Sequence, residues 1–269
     1  MCTSDKDSSN NNDDIRIVFS DIDGTLVHYP TGVNESEFQT SMDKGNRILK
    51  LPASATGMQG IISSQTLAMS QRLRHDQKIK LILVSGARTS TLLKRLPFLP
   101  KADAYCSEAG GRIFMLRDKI HGYDAKNTKA YSVIPEPFDG ADKTMLEPFE
   151  IVEDLEWRQR MEDPIAAGPD GHQGVELDSP PGSTTIPVED RKGALWAFAR
   201  QLITKGFVID TRGYSTCFRV NVQQQTKVSP QEFEALLKGE LVPCPPELAT
   251  STNLGCIDYY PAASGKKNT

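Results

Sequence analysis

Two carboxylates stand two residues apart at Asp21 and Asp23, with Gly24 and Thr25 directly behind them. The apolar run from Ile15 to Phe19, closed by Ser20, leads into them and reads as a buried strand. Acids at the end of a strand suit a hard cation, which takes oxygen ligands. A glycine turn behind them lets backbone amides and a hydroxyl come close to a phosphate. The alternative is a strand that ends in an acidic turn, and it requires strand, two acids, Gly and Thr to coincide by chance.

A second stretch points to the same place. Ile79 to Val84 is an apolar run broken only by Lys80, the pattern of a parallel strand covered on both faces. Ser85-Gly86-Ala87-Arg88 follows it. In open α/β sheets ligands bind outside the carboxyl ends of the strands, so Ser85 is expected near Asp21 and Asp23. Arg88 is either a phosphate or substrate contact or a solvated charge at a helix start.

The elements that must position these residues follow from patterning. Val27 to Gly60 is a loop-rich insert placed to flap over the site. Ser63 and Ser64 cap a helix running to about His75, with Ile62, Met69 and Leu73 on one face. Thr89 to Leu96 is a short helix with Leu92, Leu93 and Leu96 inward, stopped by Pro97. Asp103 to Cys106 is a third strand. Strand, helix, strand is the grammar of an α/β sheet. Beyond Lys119 the pattern changes. Glu147 to Met161 reads as a helix and 163–187 as a long loop, whose His172 faces solvent. Arg191 to Lys205 is the clearest helix, ended by Gly206 at C′. Phe207 to Asp210 pairs with Tyr214 to Gln223 across a turn; in the second strand Phe218, Val220 and Val222 face one way, Arg219, Asn221 and Gln223 the other. Ser229-Pro230-Gln231-Glu232 is a capping box before a helix with Phe233, Leu236 and Leu237 on its apolar face. Leu254 to Tyr260 is a last strand.

Bulk properties narrow the function classes. At 269 residues the chain is long enough for two domains. A net charge of −4 supplies no basic field for nucleic acid or anionic lipid. No apolar run approaches the roughly 20 residues of a membrane span. The five scattered cysteines, with no C-x-x-C spacing, fit neither a zinc site nor a disulfide framework and suit a reducing compartment. Residues 1–14 read as a polar disordered tail rather than a signal peptide, so a cytoplasmic protein is expected.

Asp21-Ile22-Asp23-Gly24-Thr25 resembles motif I, D-x-D-G-[TS], of the haloacid dehalogenase-like (HAD) phosphohydrolases, and Ser85 resembles their motif II. Ser107-Glu108-Ala109-Gly110 partly resembles the E-N-G-A segment of members whose cap lies between motifs II and III; Glu108 is read there as a contact to the motif I loop or, in preference, as a structural carboxylate that holds loops. The helix, strand pair, helix and strand of the second half resemble the large cap of the sucrose-phosphate phosphatase-like branch, and the final Gly265-Lys266 resembles motif III. The resemblance implies an α/β Rossmannoid core over 15–118, an α+β cap over 119–253, and a return to the core over 254–269. It places Asp21 as nucleophile and metal ligand. Asp23 is the general acid/base, with its backbone carbonyl on the metal. Gly24, Thr25, Ser85 and Gly86 hold phosphate, and Lys266 screens charge between nucleophile and phosphate. Arg88, Arg212, Arg219 and Asn221 are candidates to contact the leaving group, or else solvated sheet and turn residues. The cofactor would be Mg2+ and the substrate a small phosphorylated metabolite such as a sugar phosphate. The family's motif IV, G-D-x-x-N-D, does not occur downstream of Lys266, so the C-terminal part of the core is expected to be missing and the first strand to be left as an exposed edge. A phosphomutase and a truncated non-catalytic binding protein are the alternatives.

Overall fold

The computed structural model describes residues 16–29, 47–53, 59–75, 79–119, 130–138, 140–162, 187–253 and 255–264. In chain order the elements are β1 (Ile17–Asp21), β2 (Ile48–Lys50), β3 (Ile61–Ser63), α1 (Ser64–His75), β4 (Lys80–Val84), α2 (Thr89–Arg95), β5 (Ala104–Ser107) and β6 (Arg112–Leu116). They continue with β7 (Ala130–Val133), β8 (Phe149–Glu153), α3 (Leu155–Glu162), α4 (Ala194–Thr204), β9 (Ile209–Asp210), β10 (Phe218–Asn221), α5 (Pro230–Leu237), β11 (Leu248–Asn253) and β12 (Cys256–Pro261). The architecture is mixed α/β, the class expected.

One six-stranded sheet has the order β1-β4-β5-β6-β8-β7. β1, β4 and β5 run parallel, and β6, β8 and β7 add antiparallel pairs. β4 is apolar and covered, with Leu81, Leu83 and Val84 buried. β1 is different. It lies at the sheet edge, and Ile17, Val18 and Phe19 are 49%, 36% and 48% exposed. Successive strand residues point to opposite faces, so both faces of the sheet are partly exposed at this edge among the described residues. That corrects the reading of this run as a buried strand and matches the expectation of an exposed edge.

The second unit is a four-stranded antiparallel sheet, β11-β12-β10-β9, backed by α4 and α5. Leu195, Trp196, Phe198, Ala199 and Leu202 of α4 pack on Phe218, Val220, Ile257 and Tyr259. α5 starts on the predicted capping box: Ser229 accepts from Glu232 N, and Glu232 accepts from Ser229 N at 2.8 Å. Gly206 takes φ +91 after α4, as its C′ reading requires.

Several expectations are corrected. The helix read over 147–161 is β8 followed by α3; Phe149, Ile151 and Val152 are buried strand residues that pair with β6 and β7. β7 and β8 therefore belong to the first sheet rather than to a cap beginning at 119. The stretch from 254 onward, expected to rejoin the core, supplies β12, buried throughout between β10 and β11. In α1 the buried positions are Ser64, Leu67, Ser70 and Gln71, while Met69 and Leu73 are exposed. Val222 leaves the strand face for a short 3-10 turn. Leu237 is exposed while Leu236 is buried. The tail, much of the 27–60 insert, and the 163–186 loop with His172 lie outside the described residues.

Candidate active site

β1 and β4 are in parallel register from Ile17 opposite Lys80 to Asp21 opposite Val84. Asp21 therefore ends one strand beside the last residue of the other, and Ser85 is the next residue of the chain. Ile22 N donates to Val84 O at 3.2 Å and carries this pairing one residue past the strand. Ile22 and Val27 are buried and anchor the loop between them. The loop closes on itself: Gly24 N donates to Val27 O at 2.8 Å, and Thr25, Leu26 and Val27 all donate to Ile22 O. Gly24 takes φ +84, which a residue with a Cβ adopts at a cost. The Gly24 and Thr25 amides, expected to hold phosphate, are thus engaged within the loop. Thr25 itself is exposed.

Asp23 and Ser85 come together across 62 positions of sequence. Ser85 Oγ donates to Asp23 Oδ2 at 2.7 Å and accepts from Ala87 N at 2.9 Å. Ser85 is buried, its amide bonded to Cys106 O and its carbonyl accepting from Ala109 N. The other oxygen of Asp23, Oδ1, accepts from Arg95 Nη1 at 2.9 Å and from the Tyr29 hydroxyl. Arg95 is 2% exposed and lies over the Tyr29 ring, 5.8 Å from its centroid. Burial, and then the charge of Asp23, push the Tyr29 phenol up, so it remains a proton donor throughout the neutral range. Tyr29 and Arg95 were not anticipated. In sequence Arg95 belongs to a Lys94-Arg95 pair, which reads as a basic helix end.

The arginines read as candidates to contact a leaving group, or else as solvated, are ion-paired. Arg88 pairs with Asp210 and stacks over Tyr214, its guanidinium 5.0 Å from the ring centroid. Arg219 forms a two-point pair with Asp258, at 2.6 and 2.8 Å. Asp258 is 1% exposed and Asp210 is 7% exposed. Arg212, largely exposed, reaches Asp210 at 3.4 Å. A Cβ added at Gly86 would lie 2.9 Å from Asp258 Oδ2, so a larger residue there would require the Asp258 side chain to shift. The Asn221 side chain accepts from Gln223 N at 2.9 Å and caps the short turn after β10. Lys266 lies outside the described residues.

Glu108 fastens the two units. Fully buried, it accepts from Thr89 Oγ1 through Oε1 and from the amides and hydroxyls of Ser215 and Thr216 through Oε2, at 2.8–3.2 Å. Glu108 and Ala109 both take positive φ, 53° and 57°. Such backbone persists only where surrounding structure over-determines it, and the bonds to the carboxylate supply that. This is the loop-holding role expected of Glu108.

No protein-family model matches the chain, and neither does any curated protein. Among solved structures it is similar to the trehalose-6-phosphate phosphatase of Aspergillus fumigatus at 12% identity and a TM-score of 0.33. That match covers 92% of this chain and 61% of the neighbour, so the chain spans about three fifths of the neighbour's length. The neighbour is a phosphatase; a likeness at this level says nothing of the site or substrate of this chain.

Proposed function

We propose that the chain is a HAD-type phosphoric monoester hydrolase acting on a small phosphorylated metabolite. One observation carries the reading: Asp21, Asp23 and Ser85 lie together at the carboxyl ends of two adjacent parallel strands, with Ser85 Oγ bonded to Asp23 at 2.7 Å. Strand ends of this kind are where open α/β sheets bind ligands. Asp21 attacks phosphorus and forms an aspartyl-phosphate while Asp23 protonates the departing oxygen. Asp23 then takes a proton from the water that hydrolyses the intermediate. Ser85 gives a hydrogen bond to an equatorial phosphoryl oxygen.

Magnesium is held through one or two carboxylates, with phosphate and water completing its octahedron. Asp21 and the backbone carbonyl of Asp23 meet that minimum. Among the described residues, no three His, Cys, Asp or Glu side chains converge on one point. When bound, the ion would supply positive charge against the phosphoryl oxygens. Among the described residues, no helix is long and apolar enough to cross a membrane.

One observation favours a second reading, a non-catalytic binding protein: Arg219 and Asp258 lie over Gly86, and Arg88 and Arg219 are both already paired with carboxylates, Asp210 and Asp258. A panel of phosphate esters, with and without magnesium, decides between the two. Phosphate release by the wild type, abolished in Asp21→Asn, supports the hydrolase. Isomerised sugar phosphate without free phosphate would indicate a mutase. No turnover on any ester leaves the binding protein.

A further inference from the structure

We propose that Asp23 works through one of its two oxygens only, and that Tyr29 and Arg95 are positioning residues that fix the other; the inference rests on the hydrolase reading above. The carboxylate is held asymmetrically. Oδ1 accepts from Arg95 Nη1 at 2.9 Å and from the Tyr29 hydroxyl, whereas Oδ2 accepts from Ser85 Oγ at 2.7 Å.

The two attachments differ in how readily they can be given up. Arg95 is 2% exposed, and its Nε and Nη2 have no hydrogen-bond partner among the described residues. Asp23 Oδ1 is the acceptor for this buried cation at 2.9 Å. Withdrawing it would leave a buried guanidinium without an acceptor, which is unfavourable whether or not Oδ2 carries a proton. The Oδ1 attachment therefore persists through a reaction cycle. Ser85 has one hydroxyl proton. While it points at Oδ2 it cannot also point at a phosphoryl oxygen, and the Ser85 oxygen already accepts from Ala87 N. A phosphoryl group that takes the Ser85 proton releases Oδ2 and leaves Oδ1 tied.

Oδ2 is then the acid–base oxygen. Once Ser85 turns away, Oδ2 takes up a proton from solvent; as the bond from Asp21 to phosphorus forms and the bond from phosphorus to the departing oxygen breaks, that proton passes to the departing oxygen. In the second step water attacks phosphorus, the bond from Asp21 to phosphorus breaks, and Oδ2 recovers a proton from the water. The proton count closes over the cycle. Proton transfer needs donor and acceptor within hydrogen-bond reach. A carboxylate anchored through Oδ1 keeps Oδ2 aimed.

The test uses Tyr29→Phe, Arg95→Met and Arg95→Lys in the full chain, on alkyl phosphates and on p-nitrophenyl phosphate. General acid–base catalysis contributes about 100-fold to 10,000-fold, so losing part of the aim should lower kcat/KM, which reports the leaving-group step and not the shared hydrolysis of the intermediate, by about ten-fold on alkyl esters in Tyr29→Phe and more in Arg95→Met. Loss on p-nitrophenyl phosphate should be smaller, because its leaving oxygen needs no proton. Arg95→Lys should recover part of the loss. Tyr29→Phe carries the test alone if Arg95→Met does not fold. Equal losses on both ester types would overturn the proposal, since a general structural defect does not distinguish leaving groups. If the wild type hydrolyses no ester, the hydrolase reading fails and a second measurement judges the anchoring. The Asp23 carboxylate 13C resonance, assigned with Asp23→Asn and read at fixed pH, should move in Tyr29→Phe. A resonance that stays in place would overturn the anchoring.

Discussion

Replacing Glu108 by alanine should loosen the two units from each other. The carboxylate takes hydrogen bonds from Thr89 Oγ1 at 2.9 Å, Ser215 N at 2.8 Å and Thr216 N at 2.8 Å, besides two hydroxyls. Hydroxyls can turn to other acceptors, but backbone amides cannot. Alanine therefore leaves at least two buried N–H groups unsatisfied, at about 1–3 kcal/mol each, so the loss should be about 2–6 kcal/mol. The left-handed backbone at Glu108, φ 53°, is present in both proteins and cancels. Glycine removes its cost, roughly 1–2 kcal/mol. Glu108→Gly should therefore be more stable than Glu108→Ala, the reverse of the order at an ordinary position. Guanidinium denaturation followed by circular dichroism and by tryptophan fluorescence reads both effects. Loss of coupling between the units should also separate the two probes' transitions, which coincide in a cooperative two-state protein. An alanine variant within about 0.5 kcal/mol of wild type, the range of an uninvolved surface position, would refute the role given to Glu108. So would a glycine variant less stable than the alanine one.

Other outcomes follow from the same physics. Arg112 and Glu153, both buried, form a two-point pair at 2.6 Å; Glu153→Ala strands a buried guanidinium and should cost about 3–5 kcal/mol in denaturation. Burial pushes the Cys106 thiol up to about 12 from an ordinary 9.0. The unfolded chain therefore loses this proton first, so the thiol has no effect below pH 9 and lowers stability as pH rises from there toward 12. Cys106→Ala should flatten that fall by about 1.4 kcal/mol per pH unit, and an unchanged slope would contradict it. At the edge strand, Ile17→Thr with Phe19→Lys should lower self-association in sedimentation, because a charge on an exposed edge blocks strand pairing; unchanged association would remove β1 as its cause.

How much was legible in sequence varied with how local the signal was. β1 and β4 announce themselves as apolar runs, and the rule that ligands gather at carboxyl ends of parallel strands then brings Asp21, Asp23 and Ser85 together. α4 and α5 were legible for a similar reason, one from its apolar period and the other from its capping box. β8 was misread because five strand residues run directly into α3, and over so short a window an apolar run fits either period. The placement of β12 was hidden because a strand's own pattern does not name its partners. The same limit concealed the surroundings of the site. Asp210 and Asp258 look like ordinary polar positions until folding sets them against Arg88 and Arg219. Arg95 looks solvated until α2 packs it beneath Asp23.

In the reading proposed above, Asp21 is the nucleophile of a phosphoryl-transfer site. Rapid quench of the protein with a turned-over phosphate ester, followed by peptide mass spectrometry, tests it most directly. The expected result is a hydroxylamine-labile phosphoryl group on the peptide carrying Asp21, absent in Asp21→Asn and longer-lived in Asp23→Asn. Ester hydrolysis retained in Asp21→Asn, or a phosphoryl group found on another residue, would contradict it.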